Sequence, residues 1–244
     1  MNSGLYATYS ALLSRTEALD SAASNIANAS TAGFKSQKSF FRGLMAESSD
    51  PQSQAGNALG AYSVLGGTAI DLSQGSLTKA DDPASVALQG EGFLTVGSKD
   101  HQMFTRALVL HRRGDGVLVN SDDKIILDRS SNPIKLPSGQ ISVGTDGAVS
   151  VDGDVANYMA INQVKAADIV AEGGAYYSSK AAQVLEPADR VTVQLGYSES
   201  ANQDVIHGTV ELLSVQRQAE MMQKALSVFN GTFDRAATEE IPRL

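Results

Sequence analysis

Two apolar stripes with helical spacing stand at opposite ends of this chain, and they constrain its fold more than any other feature. Near the N-terminus, Leu5, Tyr9, Leu12, Thr16, Leu19, Ala23 and Ile26 alternate spacings of four and three, the rhythm of a heptad seam. Ser3 can cap the start, and Asn28 to Gly33 supply the stop, with Gly33 suited to the left-handed position after a helix. A helix over 3–28 would be about 40 Å long. Near the C-terminus, Val205, Gly208, Leu212, Val215, Ala219, Met222, Leu226, Phe229 and Phe233 keep the same rhythm. The polar Glu211, Gln216, Arg217, Glu220 and Lys224 fall outside that stripe. A single long helix cannot bury its own stripe. The expected fold is therefore α+β, with the terminal helices pairing as an antiparallel coiled coil around a central β domain. A four-helix dimer or an intramolecular hairpin satisfies the same periodicity.

The texture changes between the stripes. Residues 36–80 are rich in Ser, Gly, Gln and Ala and read as an extended linker. Residues 81–198 carry short β-type runs such as Val86-Ala87-Leu88, Phe93 to Val96, Val117 to Val119, Lys124 to Leu127, Ile141 to Val143, Val149 to Val151 and Val191 to Val193. Turn chemistry separates them at Gly114-Asp115-Gly116, Asp146-Gly147 and Asp152-Gly153. The expected organisation is 1–35 helix, 36–80 linker, 81–198 mostly antiparallel β domain and 199–244 helix.

Composition excludes several functions. A net charge of −8 disfavours a nucleic-acid binder or a surface held on anionic lipid. With no cysteine there is no disulfide framework and no thiolate metal site. His101, His111 and His207 lack metal-ligand spacing, and no nucleotide loop or nucleophile elbow is present. Gly90-Glu91-Gly92 lacks the third glycine of a dinucleotide fingerprint and reads as a turn admitting Phe93 to a strand. No catalytic residue, cofactor, metal or small-molecule substrate is expected. No apolar run is long enough to span a membrane. The first cation is Arg15, so no cleavable signal peptide is expected. On residues alone, that implies a cytosolic protein, unless it is exported without cleavage.

The first thirty-five residues resemble the flagellar basal-body rod and hook protein family. The resemblance rests on Ser3-Gly4-Leu5-Tyr6-Ala7, Leu19-Asp20, Asn25-Ile26-Ala27-Asn28, Thr31 and Gly33-Phe34-Lys35. Further blocks agree: Gln74 to Leu77, Val86 to Leu88, Gly90, Gly92-Phe93, Phe104 to Arg106, Gly116 to Val119, Gly196-Tyr197, Glu199, Asn202, Gln216-Arg217 and Glu220. Ala219 departs from the usual aromatic. Length and the short region 36–73 resemble the proximal-rod branch more than the distal-rod branch. The resemblance implies a structural subunit that assembles with copies of itself and other rod subunits. It further implies export through the flagellar type III apparatus without cleavage, and residence in the periplasm-spanning rod of the basal body. Two other readings are a soluble β binding module dimerised by a coiled coil and an enzyme using an acidic cleft.

Overall fold

The computed structural model describes residues 2–44, 62–180, 186–188 and 190–239. They divide into two compact units. The helical unit comprises Met1–Ser24, Gln37–Ala69 and Ile206–Leu244, and the β unit Asn25–Ser36 and Ile70–Val205.

Helix α1 (Asn2–Ala27) and helix α2 (Val205–Glu239) dominate the helical unit, joined by the strand pair β1 (Gln37–Leu44) and β2 (Tyr62–Ile70). The α+β class holds, but the expected antiparallel coiled coil is not formed. Knobs-into-holes pairing needs bulky apolar residues buried along the seams of both helices. In α1 the buried stripe is instead Ser14, Ala18, Ser21, Ala22 and Asn25, all small or polar. Tyr9, expected in the seam, is 61% exposed. In α2, among the described side chains of the expected seam, the small Gly208 and Ala219 are buried, while Leu212, Val215, Met222 and Leu226 stay half-exposed and Val205 is exposed.

The β unit runs β3 (Leu77–Lys79), β4 (Ser85–Gln89), β5 (Phe93–Gly97), β6 (Gln102–Thr105), β7 (Ala107–Val109), β8 (His111–Arg112) and β9 (Leu118–Val119). It continues through β10 (Ile141–Val143), β11 (Ala148–Val151), β12 (Asp154–Tyr158), β13 (Ile161–Gln163), β14 (Ile169–Gly173) and β15 (Tyr176–Ser179). The last three are β16 (Glu186–Pro187), β17 (Thr192–Leu195) and β18 (Tyr197–Glu199). The largest sheet has the order β14-β15-β6-β5-β13-β16, beside smaller sheets β17-β4-β7 and β10-β11-β12 and the pairs β18-β3 and β8-β9. These pairings are antiparallel wherever their register is defined. Central strand β4 sets Val86 opposite Leu195 and Leu108, and Leu88 opposite Val193. With Val86, Ala87 and Leu88 all buried, it lacks the alternation of a half-wet strand.

Two apolar clusters fill the unit. The larger includes Val86, Leu88, Leu94, Val96, Leu118, Ile126, Ile134, Val149, Met159 and Val193. The smaller gathers Ile70, Phe93, Phe104, Val164, Ile169 and Tyr177. Lys124 to Leu127 joins no named strand. It pairs by single bridges, Val96 with Ile126 and Val119 with Ile125.

Candidate functional site

Two features of this fold can serve a structural subunit: the outer faces of the helices and a buried charge cluster in the β unit. On α2, Ile206, Val210, Leu213, Met221 and Val228 are exposed, with Ile206 and Val210 at 73% and 64%. At helical spacing they form one exposed, largely apolar stripe on the face opposite the expected seam, interrupted by the exposed Arg217, Glu220 and Lys224. Gln216 and Arg217 are also exposed on this helix. On α1, Tyr9 and Leu13 are exposed one turn apart, while Leu12, Leu19 and Ile26 are half-buried. The side chains of Leu5 and Phe229 lie outside the described ones.

The charge cluster begins with one carboxylate. Glu199, at the end of β18, is 0% exposed. Its Oε1 accepts from Lys35 Nζ at 2.6 Å and from the Gly75 amide at 3.0 Å, and its Oε2 accepts from Arg106 Nε at 2.9 Å. Arg106 spends its other donors on the carbonyls of Gly90, Gly92 and Leu88. Its guanidinium also lies 5.7 Å from the Phe93 ring centroid. Lys35 Nζ donates to the Ser73 carbonyl as well, at 2.6 Å. Two buried cations thus share one buried carboxylate, and carbonyl dipoles absorb the excess positive charge.

The cluster joins chain segments remote in sequence. The Lys35 amide donates to Tyr177 Oη at 2.6 Å, and the Gly33 amide donates to the Glu199 carbonyl at 2.7 Å. Tyr177 meets Phe93 edge-on, with ring centroids 5.8 Å apart. Asn202 accepts from the Ser36 amide and donates to the Asp71 and Ser73 carbonyls. The joint therefore holds the segment after α1, the segment after β2 and the segment before α2 in one place.

Two glycines permit this convergence. Gly33 has φ of +72°, and a Cβ there would lie 2.9 Å from the Ala107 amide nitrogen. A Cβ on Gly75 would lie 1.9 Å from the Ser200 carbonyl oxygen, which no side-chain rotation relieves. Gly33→Ala is expected to cost roughly 1–2 kcal/mol from its backbone conformation alone. Gly75→Ala is expected to cost more, because the Ser200 carbonyl must move and pull the adjacent Glu199 out of its place in the cluster. Thermal unfolding followed by circular dichroism ranks the two.

Titration of the joint has a definite sign. Burial pushes Lys35 below its ordinary 10.5, against the opposing hydrogen bond and charge of Glu199. A folded pKa below the unfolded value means that folding expels a proton, so this contribution improves as pH rises toward 10.5. Burial pushes the Tyr177 hydroxyl the other way, from 10.0 up to about 12. Its contribution is complete below pH 10 and is lost between 10 and 12. Burial and the acceptor Asp122 also raise Tyr176. Denaturant titrations at stepped pH should show stability falling above pH 10, with the fall smaller in Tyr177→Phe.

Of the residues singled out in the sequence, Gly33, Phe34, Gly90, Gly92, Phe93 and Asn202 converge on or beside this joint. Asn25 is buried in the last turn of α1, and Asn28 accepts from Thr31 in the turn that ends the helix. Gln216 and Arg217 lie away from it on α2. Lys35, Arg106 and Glu199 formed part of the resemblance but carried no local sign that they are one cluster. Among the described residues no group of His, Asp and Glu could hold a metal ion, and no helix is long and apolar enough to cross a membrane.

Comparison with known proteins fits this arrangement. A family model described as flagella basal body rod protein matches residues 5–35, which cover most of α1 and the turn into the joint. A second, described as flagellar hook protein FlgE/F/G D1 domain, matches residues 87–151 of the β unit. The flagellar basal-body rod protein FlgF of Caulobacter vibrioides is 24% identical over 247 residues, covering 100% of both chains. FlgF of Escherichia coli is 27% identical over 95% of this chain and 96% of its own. The rod protein FlgG of Bacillus subtilis is 26% identical over 91% and 93%. With one model on the first helix, the other on the β unit, and rod proteins matching from end to end, the chain is similar along its whole length to flagellar basal-body rod proteins.

Proposed function

We propose that this chain is a structural subunit of the flagellar basal-body rod, and within the rod a proximal subunit. The observation that carries the reading is the end-to-end match with a FlgF rod protein, helices and β unit included. The exposed stripe of α2 supports it, because an apolar face of that length gains stability when another copy covers it. Leu5, Tyr9, Leu12, Leu19 and Ile26 on α1, with Val205, Leu212, Val215, Met222, Leu226 and Phe229 on α2, contribute to contacts between subunits. A repeated head-to-tail contact of this kind builds a helical tube. The partners are other copies and other rod subunits. The chain reaches the basal body through the flagellar type III apparatus without cleavage, and it has no enzymatic role.

A distal position in the rod is the second reading, favoured by the FlgG match. Immunogold labelling of purified basal bodies separates the two. Gold on the rod segment nearest the cytoplasmic membrane supports the proximal assignment, and gold only on the outer segment supports the distal one. Unlabelled rods would remove both.

A further inference from the structure

The chain passes between its two units four times, after Ser24, Ser36, Ala69 and Val205. One residue bears on the β-unit side of three of these passages, through its side chain at two of them and through its own place in the chain at the third. Asn202 Oδ1 accepts from the Ser36 amide at 2.7 Å, the last residue before the second passage. Its Nδ2 donates to the Asp71 carbonyl at 2.8 Å, and to the Ser73 carbonyl and Oγ at 3.2 and 3.1 Å, just after the third. Asn202 itself stands three residues before the fourth, and its amide donates to the Phe34 carbonyl. The Asp71 amide in turn donates to the Ser36 carbonyl at 2.8 Å, closing the ring.

We infer that Asn202 is a pin that ties three of the four passages together, so that β1, β2 and α2 leave the β unit as one bundle. The chemistry demands an amide. The acceptor side faces an N–H, and the donor side faces two carbonyls and a hydroxyl, so the group has one orientation. Asp would set a carboxylate oxygen against the Asp71 and Ser73 carbonyls. Gln would carry the amide one methylene too far. Ala would strand the Ser36 amide, in a residue only 1% exposed. Three separate tethers let the units move independently, whereas a tied bundle passes force from one to the other. That purpose rests on the rod-subunit reading, although the pin itself does not.

The test uses the purified full-length chain. It contains no cysteine, so Lys99→Cys in the β unit and Gln223→Cys on α2 provide the only two spin-label sites. In Asn202→Ala, the Ser36 and Asp71 amides are expected to exchange with deuterium about tenfold faster, with exchange in β4 unchanged. The distance distribution between the labels is expected to broaden. Asn202→Asp retains an acceptor for Ser36, so only Asp71 should exchange faster, which keeps the test readable if the alanine variant folds poorly. Exchange at Ser36 and Asp71 and a label distribution identical to the parent's would overturn the pin. Swimming of a strain carrying Asn202→Ala reads the rod assignment separately. Loosening in vitro with normal swimming keeps the pin and removes its purpose in the rod.

Discussion

Glu199→Gln is expected to cost the β unit about 3–5 kcal/mol, the largest single-residue effect in this chain. The substitution preserves volume and leaves an oxygen for one donor. Among the described residues, it removes the one negative side chain hydrogen-bonded to both Lys35 Nζ and Arg106 Nε. Both cations then remain in a low-dielectric interior with no carboxylate hydrogen-bonded to them among the described residues, Arg106 keeping its carbonyls and the Phe93 ring and Lys35 the Ser73 carbonyl. Lys35→Met acts differently. It leaves one carboxylate facing one guanidinium, and the Ser73 carbonyl keeps the Asn202 amide as a donor. Its cost should be less than half that of Glu199→Gln. Thermal melts would show a fall of roughly 10 °C for the glutamine variant. Equal losses from both variants would mean that charge balance does not govern the joint.

The second large effect concerns assembly and not stability. Val210→Asp combined with Leu213→Asp alters two exposed residues of the α2 stripe. Surface changes of this kind usually shift folding stability by no more than about 0.5 kcal/mol, so the isolated chain should melt as the parent does. In the rod, each apolar side chain covered by another copy contributes roughly 1.5–3 kcal/mol, and a charge in its place must be desolvated. The double variant is expected to be exported yet absent from purified basal bodies, with swimming lost. Normal incorporation would show that this face stays wet in the assembled state.

The sequence announced some of this and hid the rest, for physical reasons. Runs of β-branched residues marked β4, β5, β10, β11 and β17, because such runs carry their signal locally. Lys124 to Leu127 carried the same signal but pairs only through single bridges. Strands β14 and β15 went unread, although Tyr177 lies in the core. Helix α1 misled more sharply. Heptad spacing rewards bulky residues, so Tyr9 seemed a seam residue, whereas the stripe that is buried is Ser14, Ala18, Ser21 and Ala22. Small residues give no hydrophobic signal, yet they are what closely packed backbone requires. The joint was least legible. Lys35 and Arg106 lie 164 and 93 residues from Glu199, and no local pattern distinguishes a glutamate that will be buried. Gly33 stood out locally as a helix stop, and the family resemblance drew Phe34 and Asn202 out with it, but neither signal showed that they meet.

The most direct test of the rod assignment is basal-body content and swimming in a strain lacking this chain, complemented with the full-length form or with one lacking residues 2–30. The account predicts that the deletion strain lacks complete rods and does not swim, and that only the full-length chain restores both. Complete rods and normal swimming without the chain would contradict it, and would leave a soluble, dimeric β binding module as the better description.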